Sequence, residues 1–138
     1  MENIAQKVKS DRNLKKLWNA LEEADLEDVL EGEGPYTVFA PTNEAFEKMS
    51  EKKLNKLLGD KNELKKVLKY HIIQGKYTSR DVSKMKTART MSGDDIKIDT
   101  KKGVKVNKSK VIKPDIECSN GEIHLIDTPL IPKKGRLW

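Results

Sequence analysis

The sequence predicts an α+β fold in which helices come first and a mainly antiparallel sheet follows. Apolar residues recur at helical spacing through most of the first 75 residues, whereas afterwards they alternate with polar residues in short runs. Turn signals separate these runs, and Asn120-Gly121 is the strongest of them. Helices and strands are thus segregated along the chain, which is the pattern of an α+β domain.

The first long helical segment is predicted between a cap at Ser10 or Asp11 and a stop at Gly32. Its apolar stripe is formed by Leu14, Leu17, Trp18, Leu21 and Ala24. A short apolar strand follows in "GPYTVFAPT", and Pro41 is expected to end it because proline cannot donate to a ladder.

Three further helices are predicted from their caps. Thr42 caps "NEAFEKM", Ser50 caps "EKKLNKLL" with Gly59 closing it, and Asp60 begins "KNELKKVLKYH". In the last of these, His71 lies seven residues after Leu64, on the same stripe as Val67 and Leu68. The spacing therefore predicts that His71 is buried.

Strands are predicted after Gly75, preceded by one short helical turn capped by Ser79. Ser92-Gly93 and Lys102-Gly103 mark turns, and Pro114 indicates a strand break or a sheet edge. In "EIHLID", Ile123 and Leu125 are expected to point one way and His124 the other.

Length and composition indicate one domain over residues 1–132, followed by a tail at 133–138 in which Trp138 either docks on the body or belongs to a contact surface. No apolar run is long enough to cross a membrane. The start "MENIAQKVKS" lacks the apolar stretch of a secretory signal, so either the protein stays inside the cell or this is a domain of a longer exported chain. The single cysteine, Cys118, excludes an internal disulfide and is expected to be a buried, inert thiol.

Charge is unevenly distributed. Residues 1–64 carry 10 basic and 14 acidic side chains, and residues 65–138 carry 18 and 8. Between residues 97 and 113 the only acid is Asp99, against seven lysines: Lys97, Lys101, Lys102, Lys105, Lys108, Lys110 and Lys113. This stretch predicts either a solvated face or a site for an anionic polymer such as a polysaccharide.

Catalytic and cofactor sites are not indicated. His71 and His124 stand apart with no metal-ligand spacing, "GEGP" is too short to cradle a phosphate, and no nucleophile elbow is present. We therefore expect no catalytic residue, no metal and no cofactor. The lysine-rich stretch has no aromatic residue to stack on bases, so specific nucleic-acid binding is not expected.

Three motifs in order resemble those of the fasciclin domain family. "YTVFAPTNEAF" resembles its N-terminal box, "YHII" its central Tyr-His motif, and "NGEIHLIDTPLIP" its C-terminal box. The opening helices also resemble the family's lead-in, so the similarity covers roughly residues 2–132.

The resemblance implies a twisted antiparallel β-sandwich or wedge with N-terminal helices packed on one side. It also implies a non-catalytic module of cell adhesion, extracellular or on the cell surface, whose partner is a surface or matrix protein. By the family's motifs the partner-binding residues would be Tyr70, His71, Asp115 and Ile116. The flanks of the Asp-Ile pair, Lys113 and Glu117, depart from those of animal members.

The motifs' polar residues are expected to be structural. These are Thr42, Asn43, His71, Asn120, Gly121 and His124. For His71 a structural joint between helix and strand, part of a binding surface and a catalytic base stand as alternatives. As a buried joint, its ring nitrogens need partners, for which Thr42 and Asn43 are the candidates.

Overall fold

Seven helices and seven strands form within residues 1–131, the part of the chain that the computed structural model describes. The predicted tail at 133–138, Trp138 included, lies outside the described residues. The helices are α1 Ile4–Ser10, α2 Lys15–Glu23, α3 Glu27–Glu31, α4 Asn43–Glu47, α5 Glu51–Leu58, α6 Lys61–Lys69 and α7 Ser79–Ser83. The strands are β1 Tyr36–Pro41, β2 Ile72–Gln74, β3 Thr87–Arg89, β4 Asp95–Asp99, β5 Lys105–Val106, β6 Ser109–Cys118 and β7 Gly121–Ile126. The predicted α+β class is confirmed.

Helix boundaries follow the predicted caps with two exceptions. Thr42, Ser50 and Asp60 each accept a hydrogen bond from the backbone amide three residues on, as predicted. The expected long helix from residue 10 to 32 is instead three pieces, a 3-10 turn at Arg12–Leu14, α2 and α3. Asp25 separates α2 from α3 with a φ of 57°, a conformation that ends a helix. The turn at α7 is capped by Thr78 in a capping box, not by Ser79 as predicted.

The sheet is mixed, with strand order β2-β1-β7-β6-β5-β4-β3. Every neighbouring pair is antiparallel except β1 and β7, which run parallel in register from Tyr36↔Gly121 to Pro41↔Ile126. The expectation of a mainly antiparallel sheet thus holds for every pair except β1 and β7. β6 is bulged twice against β7, between Val111 and Lys113 and between Lys113 and Ile116.

Both faces of β1 and β7 are buried. Ile123 and Leu125 of β7 belong to a core formed with the helices, which includes Leu17, Leu21 and Leu64. Ile126 belongs to a second core on the opposite face, with Phe39, Tyr70, Val82, Ile96, Val106 and Leu130. β4 and β5 therefore pack against strands with which they do not pair, which requires the sheet to curl into a wedge. The described helices include none long and apolar enough to cross a membrane.

Candidate functional site

His71 lies just past the end of α6 and is buried, as predicted, with 2% of its surface exposed. Its Nδ1 lies 2.8 Å from the carbonyl oxygen of Val67, and its Nε2 lies 2.8 Å from the backbone nitrogen of Leu130. Because the Leu130 amide can only donate, Nε2 accepts and Nδ1 carries the proton. Burial lowers the pKa of His71 to about 4, against the partly opposing effect of the bond to Val67. His71 is therefore a neutral joint that ties the end of α6 to the segment after β7.

Thr42 and Asn43 are not the partners of His71, so that prediction is wrong. The Thr42 hydroxyl accepts a hydrogen bond of 3.2 Å from the Ala45 amide and caps α4. The Asn43 side chain accepts from the Lys16 amide and donates to the Arg12 carbonyl, at 2.9 and 2.7 Å. Both residues thus fasten the start of α4, and Asn43 links it to the start of α2.

Tyr70 is also buried, at 3% exposure. Its hydroxyl donates to the carbonyl of Asp95 and accepts from the side-chain amide of Asn107, each at 3.0 Å. These bonds fasten the end of α6 to β4 and to the turn after β5. The predicted partner-binding role of Tyr70 and His71 stays a prediction, and in this fold neither side chain reaches the surface.

Asn120 and Gly121 form the turn between β6 and β7 and anchor the N-terminal helices. The Asn120 side chain accepts from the Ile4 amide at 2.8 Å and donates to the carbonyls of Leu30 and Gly32 at 2.8 and 2.7 Å. At Gly121, with a φ of 154°, a Cβ atom would lie 1.8 Å from the Tyr36 carbonyl oxygen. Only glycine allows β1 to approach the turn this closely.

His124 forms a second joint, on the face of β7 opposite Ile123 and Leu125, as predicted. Its Nδ1 accepts a 3.0 Å hydrogen bond from the amide of Asp115, so its Nε2 carries the proton and donates to the Tyr77 carbonyl at 2.8 Å. The ring packs against Phe39 with centroids 5.6 Å apart. His124 is 1% exposed, yet both of its hydrogen-bond partners belong to outer segments of the fold.

Asp115 lies at the second bulge of β6, exposed and with a φ of 61°. Its carboxylate accepts hydrogen bonds from the amide of Ser79, at 2.7 Å, and from the Ser79 hydroxyl. Partial burial works to raise the pKa of Asp115, but the two bonds from Ser79 outweigh it and lower the pKa. Asp115 therefore fixes the bulge between α7 on one side and His124 on the other.

The outer edge of β6 carries little strand pairing. Among the described residues, β5 pairs with β6 only at Ser109 and Lys110, and Val111 donates one further bond to Val104. Beyond this point the segment 112–117 has a ladder partner only in β7. Ile112 is 51% exposed and Ile116 is half-buried. This segment, which we call the β6 edge, therefore lacks an outer strand partner among the described residues, and Ser79 of α7 hydrogen-bonds to it only through Asp115.

Shallow grooves lie on both sides of the β6 edge. One, of about 260 Å³, is lined by Phe39, Val82, Val111, Pro114 and other residues of the second core, with His124 at its wall. The other lies on the side of α4 and has Ile112, Lys113 and Leu125 along one wall. The edge thus offers both backbone groups and apolar surface.

The predicted anion-binding lysines are exposed, except Lys105, which is half-buried. The register places Lys105 opposite Asp99 on one side and Lys110 on the other, so these three side chains lie on one face of the sheet. Lys97 lies two residues before Asp99 in β4 and therefore shares that face. The ion pairs found within residues 1–131 involve none of the seven lysines. We call residues Lys97, Lys101, Lys102, Lys105, Lys108, Lys110 and Lys113 the lysine surface.

Glu122 is a buried carboxyl group that the sequence did not single out. It is 3% exposed, and its Oε2 has no hydrogen-bond partner among the described residues. Burial raises its pKa, with Lys76 and His124 opposing the shift. Strand alternation alone would leave this side chain in solvent, whereas β7 is an interior strand that is buried along its whole length.

Metal ligands and reactive side chains are few in this region. The described residues contain no cluster of three or more acids, histidines or cysteines that could hold a metal. Cys118 is buried, as expected, and burial raises the pKa of its thiol to about 11, which disfavours the nucleophilic thiolate. Both histidines have both ring nitrogens engaged with backbone groups.

Comparison with known proteins agrees with the motifs. The family model for the fasciclin domain matches residues 12–132. The uncharacterized protein sll1735 of Synechocystis sp. is 39% identical over 95% of this chain and 98% of its own length. Transforming growth factor-beta-induced protein ig-h3 of Sus scrofa is 38% identical over 99% of this chain, which spans only 20% of that protein.

The fold has a counterpart among solved structures. A FAS1 domain pair from the insect cell adhesion molecule Fasciclin I matches 96% of this chain and 52% of its own length, with a TM-score of 0.83 and 23% sequence identity. At that identity the likeness concerns the fold alone. It supports the wedge of helices and curled sheet described above.

Proposed function

Because this chain belongs to the fasciclin domain family, we propose that residues 1–132 form a non-catalytic protein-interaction module of the adhesion type. Its partner is a protein of the cell surface or matrix, and its place of action is extracellular or on the cell surface. Support comes from relatives such as ig-h3 and periostin, and from the mycobacterial cell surface glycolipoprotein MPB83, which is 33% identical over 80% of this chain.

The β6 edge is the proposed contact surface, and its bulge is the observation that carries the proposal. The hydrogen bonds that Asp115 accepts from Ser79 and the one that it donates to His124 hold the bulge where β6 has no outer strand partner among the described residues. A partner strand would add main-chain hydrogen bonds there, and Ile112 and Ile116 would supply apolar contact. Asp115 acts mainly as a positioning residue in this proposal, because both carboxylate oxygens are already engaged by Ser79.

The test is affinity capture of cell-surface proteins with the immobilised chain. Ile112→Glu places a charge on the proposed contact without touching a described hydrogen bond. Leu58→Glu is the matched control, since Leu58 is also an exposed apolar side chain, at 38%, but lies on α5. We expect Ile112→Glu to lose the captured protein and Leu58→Glu to keep it. Equal capture by both variants would contradict the proposed surface.

A second candidate function is binding of anionic polysaccharide through the lysine surface. The observation favouring it is that these lysines are free of ion pairs with the described residues. On a heparin column, elution only above several hundred millimolar salt would support this function, and elution at very low salt would contradict it.

A further inference from the structure

An acidic segment lies in the region of α2 and α3. From residue 22 to residue 33 the chain has seven acidic side chains and no basic one, and all are exposed except the half-buried Glu27. Within residues 1–131 only Asp25 among them forms an ion pair, with Lys61. We call this set the acidic segment: Glu22, Glu23, Asp25, Glu27, Asp28, Glu31 and Glu33.

The acidic segment and the lysine surface lie toward opposite ends of β6. Asn120, just after β6, binds the carbonyls of Leu30 and Gly32, so α3 lies at that end. The lysine-bearing strands β4 and β5 lie at the other end, where Ser109 and Lys110 pair with β5. Ten residues of extended strand span about 30 Å. This span exceeds the screening length, which is about 8 Å at physiological salt and about 20 Å at 20 mM salt, so the two surfaces act as separate patches on one molecule.

Within this chain the two surfaces are too far apart to pair, so each can meet the oppositely charged surface only on a second copy. Seven lysines oppose seven acids, and every copy of the chain presents both at the same concentration. The exposed side chain of Ile112, between Lys110 and Lys113, adds apolar area to the basic side. Long-range attraction of this kind raises association rates and orients the encounter.

We propose that the lysine surface of one molecule binds the acidic segment of a second copy, so that the chains associate head to tail. The contact joins two different patches and therefore leaves one free patch at each end, which allows the association to continue into short open chains. The inference goes beyond the proposed function in two ways. The partner is a second copy of this chain, and the contact uses the lysine surface and the acidic segment, whereas the proposed function uses the β6 edge of residues 112–117.

Paired charge reversals test it by sedimentation velocity at about 20 mM salt. One variant carries Lys97→Glu, Lys105→Glu and Lys110→Glu, and the other carries Glu22→Lys, Glu31→Lys and Glu33→Lys. We expect the wild type to sediment at twice the monomer mass or more, and each variant alone to be monomeric. An equimolar mixture of the two variants restores association, because the intact lysine surface of the second variant then meets the intact acidic segment of the first.

A third variant controls for net charge. Lys52→Glu, Lys53→Glu and Lys56→Glu change the same number of charges on α5, and we expect it to associate like the wild type. Raising the salt to about 200 mM should weaken the wild-type association at least tenfold. A monomeric wild type at low salt, association of either reversed variant alone, or no association in the mixture would each overturn the proposal.

Heparin binding and partner capture separate this proposal from the two functions above. The variant reversed at Glu22, Glu31 and Glu33 keeps its lysines, so loss of self-association with retained heparin and partner binding supports the contact between copies alone. If a reversed variant has a lowered melting temperature, the glutamine versions of the same triple substitutions replace it, with the same expected outcomes.

Discussion

The two histidine joints use the same side chain in opposite ways. His71 holds its proton on Nδ1 and binds Val67 and Leu130, two backbone groups inside the fold. His124 holds its proton on Nε2 and binds Tyr77 and Asp115, which belong to the outer loop and the bulged strand. A buried imidazole thus secures the core in one case and shapes the surface in the other. The difference lies in what its partners are attached to.

The largest expected effect is the loss of the His71 joint. His71→Ala leaves the Leu130 amide without a partner, leaves the Val67 carbonyl with only the Tyr70 amide and opens a cavity. We therefore expect it to lower the free energy of unfolding by about 3–5 kcal/mol. His124→Ala should cost about 2–3 kcal/mol, since the freed groups lie nearer to water. Chemical denaturation measures both.

Partner capture completes this comparison. We expect His71→Ala molecules that remain folded to bind as the wild type does, whereas His124→Ala weakens binding by releasing the bulge at Asp115. An unchanged denaturation curve for His71→Ala together with lost binding would reverse the assignment of the two joints.

The pH dependence of stability sharpens the comparison next. The folded pKa of His71, about 4, lies below its ordinary value of 6.5, so the unfolded chain binds the extra proton first as pH falls. The contribution of neutral His71 is complete above pH 6.5 and is lost progressively as pH falls toward 4, by about 3 kcal/mol in total.

Denaturation of His71→Gln across this range provides the check. Glutamine does not titrate, so we expect the variant's stability to fall less steeply with decreasing pH than that of the wild type. His124→Gln makes the same substitution at the other joint and serves as the matched control. A wild-type slope that persists in His71→Gln would show that another group carries the dependence.

The smallest expected effect concerns Asp115. Asp115→Ala removes two hydrogen bonds to Ser79 and places alanine at a positive φ, which should cost about 1 kcal/mol at this exposed position. Asp115→Asn tolerates the same backbone conformation and keeps one acceptor, so we expect roughly half of that loss. We expect both variants to capture less of the partner protein although their free energy of unfolding falls by no more than about 1 kcal/mol. His71→Ala should show the opposite, a large loss of stability with unchanged capture. Melting curves and capture on the same samples decide between these outcomes.

Local signals in the sequence account for the features that depend on neighbouring residues. The caps at Thr42, Ser50 and Asp60, the buried stripe that includes His71 and the opposite directions of Ile123 and His124 all follow from spacing within a few residues. The N-terminal box at residues 36–46 and the motifs around Tyr70-His71 and Asn120-Gly121 also predicted the fold family, because all three occur in order.

Features that depend on distant partners could not be predicted in the same way. His71 binds Leu130, 59 residues away, through a backbone amide that no side-chain pattern reveals. The parallel pairing of β1 with β7 leaves no local mark in the sequence either. Because this pairing was not predicted, the burial of Glu122 in β7 was not predicted. The break at Asp25 was missed because an aspartate at positive φ resembles any other helical acid in sequence.

The parallel pairing of β1 with β7 also bears on how the chain folds. Tyr36 pairs with Gly121, which is 85 positions later in the sequence, and both strands are interior strands of the sheet. Contacts between residues so far apart in sequence lose a large loop-closure entropy before the strands gain their hydrogen bonds and packing, and this slows folding. During synthesis, β1 therefore cannot complete its pairing until β7, which comes much later in the sequence, has been made. Until β7 arrives, the apolar residues of β1 lack their central neighbour and need protection from other chains.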